Sequence, residues 1–330
     1  MGIPADTLIL SSNRSNMIGW IRQYKWAYAL YNYFQQQRLG HLKALYPKYG
    51  LDKRYYEPVS SADFDHLPGA GEESIVPDTA GLQADALFPL LNPATQQSLL
   101  AYPEEGYAVL KGWLSPDEVD KANAEVQHLL DDQAVRFRYS NKKLMFAIHH
   151  SDYLRRIGEH PHLQAILNYL LNGEARLFQS INFVHEGSEQ KTHSDSVHMT
   201  TYPLGGLLGV WIALEDMTPD NGSLHYYPGS HKLPYLLNDA YGNKGTRWKI
   251  GDQPYTAYEA MMEKQIGEWG LEKQIFEAKA GDVLIWHANL LHGGEPHRDK
   301  SLPRKSMVLH YFREGYICYH EVTQRPALLS

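Results

Sequence analysis

LLGVWIALEDMTPDNGSLHYYPGSH, residues 207–231, begins with nine residues rich in branched and aromatic side chains. It breaks at Asp220-Asn221-Gly222, resumes as a short apolar run at 224–227 and breaks again at Pro228-Gly229-Ser230. Branched and aromatic residues suit a pleated, half-buried surface, while Asn-Gly and Pro-Gly form turns, so the stretch reads as two strands punctuated by turns. Working outward, 177–184, 282–286 and 305–312 are further runs of the same kind. Many short strands with such punctuation predict a mainly β chain with flanking helices, built on a jelly-roll barrel. Before this region, 106–115 reads as a strand and Ser115-Pro116-Asp117-Glu118 as a helix start, with Ser115 as cap, Pro116 in first position and Glu118 closing a capping box. That helix should run to about residue 132, and a second should cover 161–171.

The flanks divide by composition. Residues 16–49, rich in Tyr, Trp, Leu and Gln, predict one or two amphipathic helices capping the barrel, and a dimer contact is a second expectation for their aromatic side chains. Residues 55–95, dense in Pro, Gly, Ser, Asp and Glu, read as a long irregular connection. Residues 236–276 interrupt the strands, contain a predicted helix at 255–269 and are placed to act as a lid over the barrel mouth. The expected organisation is an N-terminal extension, 1–103, packed on a barrel core, 104–330, that carries the lid as an insertion.

A formal net charge of −7 and the lack of any Lys/Arg-rich run argue against nucleic acid as a partner. The single cysteine, Cys318, cannot form an intrachain disulfide, and no secretory pattern is visible, so a reducing cytoplasm is expected. Apolar clusters such as 204–214 are short and broken by glycine, so no membrane helix is expected. A small-molecule substrate is the expected partner.

His193-Ser194-Asp195 supplies the first chemistry. In extended backbone, residues two apart project the same way, so His193 and Asp195 can grip one metal ion, with His292 arriving from a distant strand as third ligand. Two imidazoles and a carboxylate leave one face of the metal open, as in non-haem Fe(II) oxygenases, whereas a closed zinc site takes four ligands, usually with thiolates. His287 rivals His292 for the third place. An organic acid chelating such a metal needs a grip on its far carboxylate, for which arginine's planar fork is suited. Of Arg298 and Arg304, the second opens the last strand with Ser306 on the same face, while Arg298 lies in the polar turn 296–300.

With GYAVLKGWLSPDE (106–118), His193-Ser-Asp195, WIALED (211–216), DNGSLHYYPGSH (220–231), GDVLIWH (281–287), LHGG (291–294) and Arg304-Lys-Ser306 in this order, the sequence resembles the phytanoyl-CoA dioxygenase family of Fe(II)/2-oxoglutarate-dependent oxygenases over about residues 104–313. The resemblance implies a double-stranded β-helix, cupin-like barrel, with iron held by His193, Asp195 and His292 rather than His287. It further implies that Arg304, helped by Ser306, pairs with 2-oxoglutarate, and that Trp211 lines the same pocket. O2 would be the oxidant, with succinate and CO2 released. Related halogenases carry a small residue in place of the carboxylate, so Asp195 favours hydroxylation. Gln179 and Asn182 are further candidates on the co-substrate side; His198, Met199, Tyr202, Tyr226 and Lys143 are candidates on the substrate side. Gly293 and Gly294 would clear space beside His292, His231 would order the Pro-Gly-Ser-His turn, and His225, His297 and His310 are expected to be structural or exposed. The expected activity is hydroxylation of a small or medium polar metabolite or conjugate. The alternatives are an inactive metal- or ligand-binding barrel and a non-oxidative metalloenzyme such as a zinc hydrolase or isomerase.

Overall fold

In the computed structural model, which describes residues 21–67, 75–138 and 142–329, the strand-like runs form three sheets in which every strand pair is antiparallel. The strands are β1 (Tyr107–Leu110), β2 (Phe137–Arg138), β3 (Lys143–Met145), β4 (Ala175–Phe183), β5 (Thr200–Tyr202), β6 (Leu207–Ala213), β7 (Leu224–Tyr226), β8 (Gln274–Phe276), β9 (Val283–His287), β10 (His292–Gly294), β11 (Ser306–Arg313), β12 (Ile317–His320) and β13 (Arg325–Pro326). The major sheet has the order β1-β9-β6-β11-β4-β3-β2; the smaller ones are β10-β7-β8 and β13-β12-β5.

The central strand β6 is buried at every position, which explains its unbroken apolar sequence. Leu208, Val210 and Ile212, with Met307, Leu309 and Tyr311 of β11, pack in one cluster with Val119, Ala122, Val126 and Leu129 of one helix and Leu163, Ile166, Leu167 and Leu170 of another. Residues of the opposite parity, Trp211 and Ala213 with Val308, Phe183 and Trp286, form a second cluster with Leu224 and Phe276 of the β10-β7-β8 sheet. The site therefore lies on the inward side of the major sheet, and strand parity selects the side chains that reach it.

The helices Pro116–Asp131 and Pro161–Leu170 stand where expected, the first with both halves of its Ser115/Glu118 capping box formed. The region expected to be irregular is shorter. A helix over Thr79–Ala84 lies in its second half and another, Pro93–Glu105, begins at its end, capped by Asn92 and entered through Pro93. The start of the predicted 16–49 helical region lies outside the described residues. From Lys25 the chain forms a helix to Phe34 and another over Leu42–Lys48. The first departs from an apolar face turned to the core: it buries Asn32, whose amide donates to the Tyr56 carbonyl, and exposes Trp26, Leu30, Tyr31, Tyr33 and Phe34. Attachment comes instead from Leu39, Leu42, Tyr46, Val59 and Phe64, which pack on Tyr202, Ile317 and Tyr319 of the β13-β12-β5 sheet. The Ser61 hydroxyl donates to the buried Glu321 carboxylate at 2.6 Å, adding a polar tie. No described helix is long and apolar enough to cross a membrane.

Candidate active site

His193 and His292 face each other across an isolated antiparallel bridge, each backbone N–H donating to the other's carbonyl at 2.9 Å. The bridge brings residues almost a hundred positions apart within reach of one ion. Ser194 is still extended, but Asp195 begins a short 3-10 turn, Asp195–Val197, rather than continuing a strand as the His-x-Asp spacing suggested. The convergence survives: one Asp195 carboxylate oxygen lies 3.8 Å from His193 Nε2 and 3.7 Å from His292 Nε2. The ligand atoms of all three residues lie within 4.8 Å of one another, all buried.

The imidazoles are oriented for metal binding. His193 Nδ1 is 2.8 Å from the Lys191 carbonyl and His292 Nδ1 is 2.9 Å from the Leu290 carbonyl. A carbonyl can only accept, so Nδ1 carries a proton in both rings and Nε2 is the nitrogen turned towards Asp195 and the metal position. Burial, with the neighbouring His292 and His198 rings, pushes His193 well below its usual pKa and keeps it neutral. Burial alone would raise the Asp195 carboxyl, yet His292, His310 and His193 together hold it below the usual carboxylate range. A neutral His193 and an ionised Asp195 are the states a metal requires of them.

Two residues not foreseen complete this centre. Trp286 Nε1 donates to the second Asp195 oxygen at 2.8 Å. A Cβ at Gly209, its partner across the sheet, would fall 2.2 Å from that indole, so the bare glycine provides the room. His310, expected to be structural or exposed, is buried on the inward face with Nε2 3.6 Å from the same Asp195 oxygen and Nδ1 3.3 Å from Gln179. Its neighbourhood carries a register shift in the β11–β4 ladder, which re-aims side chains locally. His287 takes the opposite parity to Trp286 on β9, and its Nδ1 accepts from the Asn289 N–H. It lies outside the three-residue cluster.

A cavity of about 390 Å³ opens onto these residues. Arg304 lies on its wall, 2% exposed, with Nε donating to the Gly222 carbonyl at 3.2 Å and Nη1 to the Ser306 hydroxyl. Its guanidinium is 5.3 Å from the Phe183 ring centre and 5.4 Å from that of Trp211. Burial pushes its pKa down to about 10, opposed by Glu215, so it stays charged at neutral pH. Among the described residues it has no salt bridge, and the Glu215 carboxylate accepts instead from the Lys305 N–H. A buried guanidinium with no carboxylate at salt-bridge distance fits an anionic ligand. The buried Trp211 Nε1, which finds no acceptor, supplies a second unused donor in the same wall.

The remaining candidates separate by parity and packing. Gln179, His198, Met199 and Lys143 line the cavity. Asn182 does not: it falls between the cavity-lining Ile181 and Phe183 and shares the parity of Ser180 on the opposite face of β4. Tyr202 is also corrected, since its ring stacks on Phe64 at 4.0 Å in the contact with the N-terminal extension. Tyr226 packs against Tyr107 at 4.5 Å and lies outside the cavity wall. Gly293 lines the cavity, but the space a Cβ would need is filled by the Gln190 carbonyl and the His225 ring, both 2.7 Å away, so its bareness serves close packing. His225 is buried between Thr192 and Glu295, His297 Nε2 donates to the Leu302 carbonyl, and His231 Nε2 donates to the Pro103 carbonyl. The predicted helix of the insertion is present over Tyr255–Trp269. It meets the site through Tyr255 OH at 3.0 Å from His198 Nε2 and Tyr258 OH accepting from the Ser194 N–H, while the residues lining the cavity come from other segments, including Phe146, Gln190, His320 and Arg325.

Comparison with known proteins agrees with this arrangement. Phytanoyl-CoA dioxygenase domain-containing protein 1 of Danio rerio is 25% identical over 255 residues, covering 60% of this chain and 83% of that protein. The ectoine dioxygenase of Sphingopyxis alaskensis is 28% identical over 229 residues, covering 61% and 70% respectively. Among solved structures, the non-heme alpha ketoglutarate dependent carbocyclase SnoK from nogalamycin biosynthesis superposes with a TM-score of 0.56 at 20% identity, over 73% of this chain and 89% of that one. At that identity the likeness speaks for the shared jelly-roll fold. Residues 102–306, which contain every residue of the metal cluster together with Arg304 and Ser306, match the family model described as phytanoyl-CoA dioxygenase (PhyH), and the chain belongs to that family.

Proposed function

We propose that this protein is an Fe(II)/2-oxoglutarate-dependent dioxygenase that hydroxylates a small or medium polar metabolite or conjugate. The observation that carries the reading is the pairing of an open three-ligand cluster with a buried Arg304, free of any salt bridge among the described residues, on one cavity wall. A binding barrel or a zinc hydrolase would have no use for that second element. His193, Asp195 and His292 would hold iron, and Arg304 with Ser306 would take the far carboxylate of 2-oxoglutarate, with Trp211 Nε1 as an additional donor. Bound together, iron and 2-oxoglutarate supply activation of O2, with loss of CO2 and formation of succinate, and oxidation of the substrate.

The protein's share is positioning. The Lys191 and Leu290 carbonyls hold both imidazoles in one tautomer, and Trp286 holds the outer oxygen of Asp195 so that the other points between the histidines. Phe183 and Trp211 flank the Arg304 guanidinium with apolar surface, which keeps water from competing for the carboxylate. His198, Met199 and Lys143 supply substrate-facing wall.

Anaerobic addition of Fe(II) and then 2-oxoglutarate to the metal-free protein is expected to give a visible metal-to-ligand charge-transfer band, and O2 to convert 2-oxoglutarate to succinate. A folded, iron-loaded protein without the band would refute the keto-acid assignment. Trp286→Phe keeps the apolar bulk but removes the bond to Asp195; Fe(II) affinity should fall about 10-fold, as for other partners that orient a metal ligand. The same titration reads it, and unchanged affinity would mean that Asp195 needs no such support.

A further inference from the structure

The cavity's charges are unbalanced once the proposed iron and 2-oxoglutarate are in place. Among the described residues Asp195 is the one carboxylate on the cavity wall, against the cations Arg304, Lys143 and Arg325. The charges of Fe(II), Asp195, Arg304 and a dianionic 2-oxoglutarate cancel, which leaves Lys143 and Arg325 uncompensated. Neighbouring lysines show that this is particular to position 143. Lys142 Nζ lies 3.1 Å from both the Glu186 and Glu189 carboxylates. Lys143 enters the cavity and meets only the amide oxygen of Gln190, at 3.4 Å. That amide is held with its nitrogen towards His198 Nε2 at 3.1 Å, which leaves its oxygen for the lysine. Burial pulls the Lys143 ammonium below its usual pKa, opposed only by Asp195, the residue already assigned to iron. Arg325 is exposed, lies over Tyr28 at 5.8 Å and bonds Thr323 at 3.3 Å. Among the described residues neither Lys143 nor Arg325 has a carboxylate at salt-bridge distance.

A half-buried ammonium aimed into a cavity without a counter-ion is costly to keep unless a ligand supplies the charge. We propose that the substrate carries a carboxylate or phosphate group, that Lys143 binds this group and that Arg325 assists as the second cation. The inference rests on the Fe(II)/2-oxoglutarate reading and narrows its substrate to an anion.

The test uses the intact protein, anaerobic and saturated with Fe(II) and 2-oxoglutarate so that Arg304 is occupied. Benzoate, phenylphosphonate and neutral benzamide are titrated by calorimetry, alongside Lys143→Met, Lys143→Arg and Arg325→Gln. Both anions, or the one of the preferred class, should bind at least roughly tenfold more tightly than benzamide, the scale of one charge-assisted contact. Lys143→Met should reduce them to the benzamide level with the charge-transfer band intact; Lys143→Arg should retain most of the preference, and Arg325→Gln should lose a smaller part. The stronger of the two anions identifies the carboxylate or the phosphate class. Benzamide binding as tightly as the anions, anion binding that survives Lys143→Met, or no anion binding while the band is present would each overturn the proposal. Loss of the band itself in Lys143→Met would also overturn it by placing the lysine in the keto-acid grip. No band in the wild type would instead bring down the oxygenase reading on which the proposal stands.

Discussion

Asp195→Ala is expected to weaken Fe(II) binding by more than about 10²-fold, beyond what loss of a supporting residue around a metal costs, and to remove the charge-transfer band and succinate formation together. The carboxylate is the only anion in the cluster. Its inner oxygen sits 3.8 Å and 3.7 Å from the two imidazole nitrogens, so its removal leaves two neutral donors and no charge to offset a divalent ion. Fe(II) takes imidazole and carboxylate ligands together in a facial set of three, so the variant loses a ligand as well as the charge. The substitution also strands the Trp286 N–H that the outer oxygen accepts, at a cost of about 1–3 kcal/mol for a buried donor left without a partner. The loss of iron must therefore be separated from loss of fold. Circular dichroism and thermal unfolding of the metal-free protein should show the variant folded, with stability lowered by no more than that amount. A folded variant that still binds Fe(II) and 2-oxoglutarate with a normal band would show that the metal lies elsewhere.

The parts of this site that could be read from the residues are those set by local rules. The capping box at Ser115 formed because its bonds join residues three apart, and the β6 and β11 runs became strands because each buries both faces. Asn92 and Pro93 offered the same kind of signal for the Pro93–Glu105 helix, but it lay in a stretch whose Pro and polar content reads as loop. Parity carried more information than the motif alone. Trp286 and His287 are adjacent on one strand, so only one can turn inward, and Gly209 opposite Trp286 marks which. The same rule separates Gln179 from Asn182 on β4. What could not be read depends on contacts with distant segments. Tyr202 follows the metal motif closely, yet Phe64 of the N-terminal extension claims its ring. Strand β10 has only three residues, two of them glycine, and exists because His292 bridges His193 and pairs with Tyr226, not because of any local propensity. Arg325 enters the cavity from a two-residue strand near the end of the chain, where no spacing points to it.

Arg304→Gln separates the two halves of the proposed centre. Arg304 contributes no atom to the His193, Asp195 and His292 cluster, so Fe(II) affinity should be unchanged. Affinity for 2-oxoglutarate should fall by about 10²-fold, the lower part of the range for truncating one partner of a buried, hydrogen-bonded charge pair. Glutamine keeps polar contact with Ser306 but cannot supply charge or the planar fork. Arg304→Lys, which keeps charge without the fork, should fall between glutamine and wild type. The effect on folding distinguishes a ligand grip from a structural arginine. A structural arginine holds a carboxylate partner, and its loss would destabilise the protein. Arg304 has no such partner among the described residues, and its guanidinium is buried between Phe183 and Trp211 with bonds only to Gly222 and Ser306. Removing a buried charge that only the more distant Glu215 opposes relieves its desolvation, so the metal-free Arg304→Gln protein should unfold near the wild-type temperature or above it. Fe(II) should stabilise both proteins alike, and adding 2-oxoglutarate to the Fe(II)-bound forms should then raise the unfolding temperature of wild type more than that of the variant, because a ligand that binds only the folded state stabilises it more the tighter it binds. A marked fall in stability without ligand, together with unaltered 2-oxoglutarate binding, would assign Arg304 to the scaffold and leave the far carboxylate without a partner on this wall.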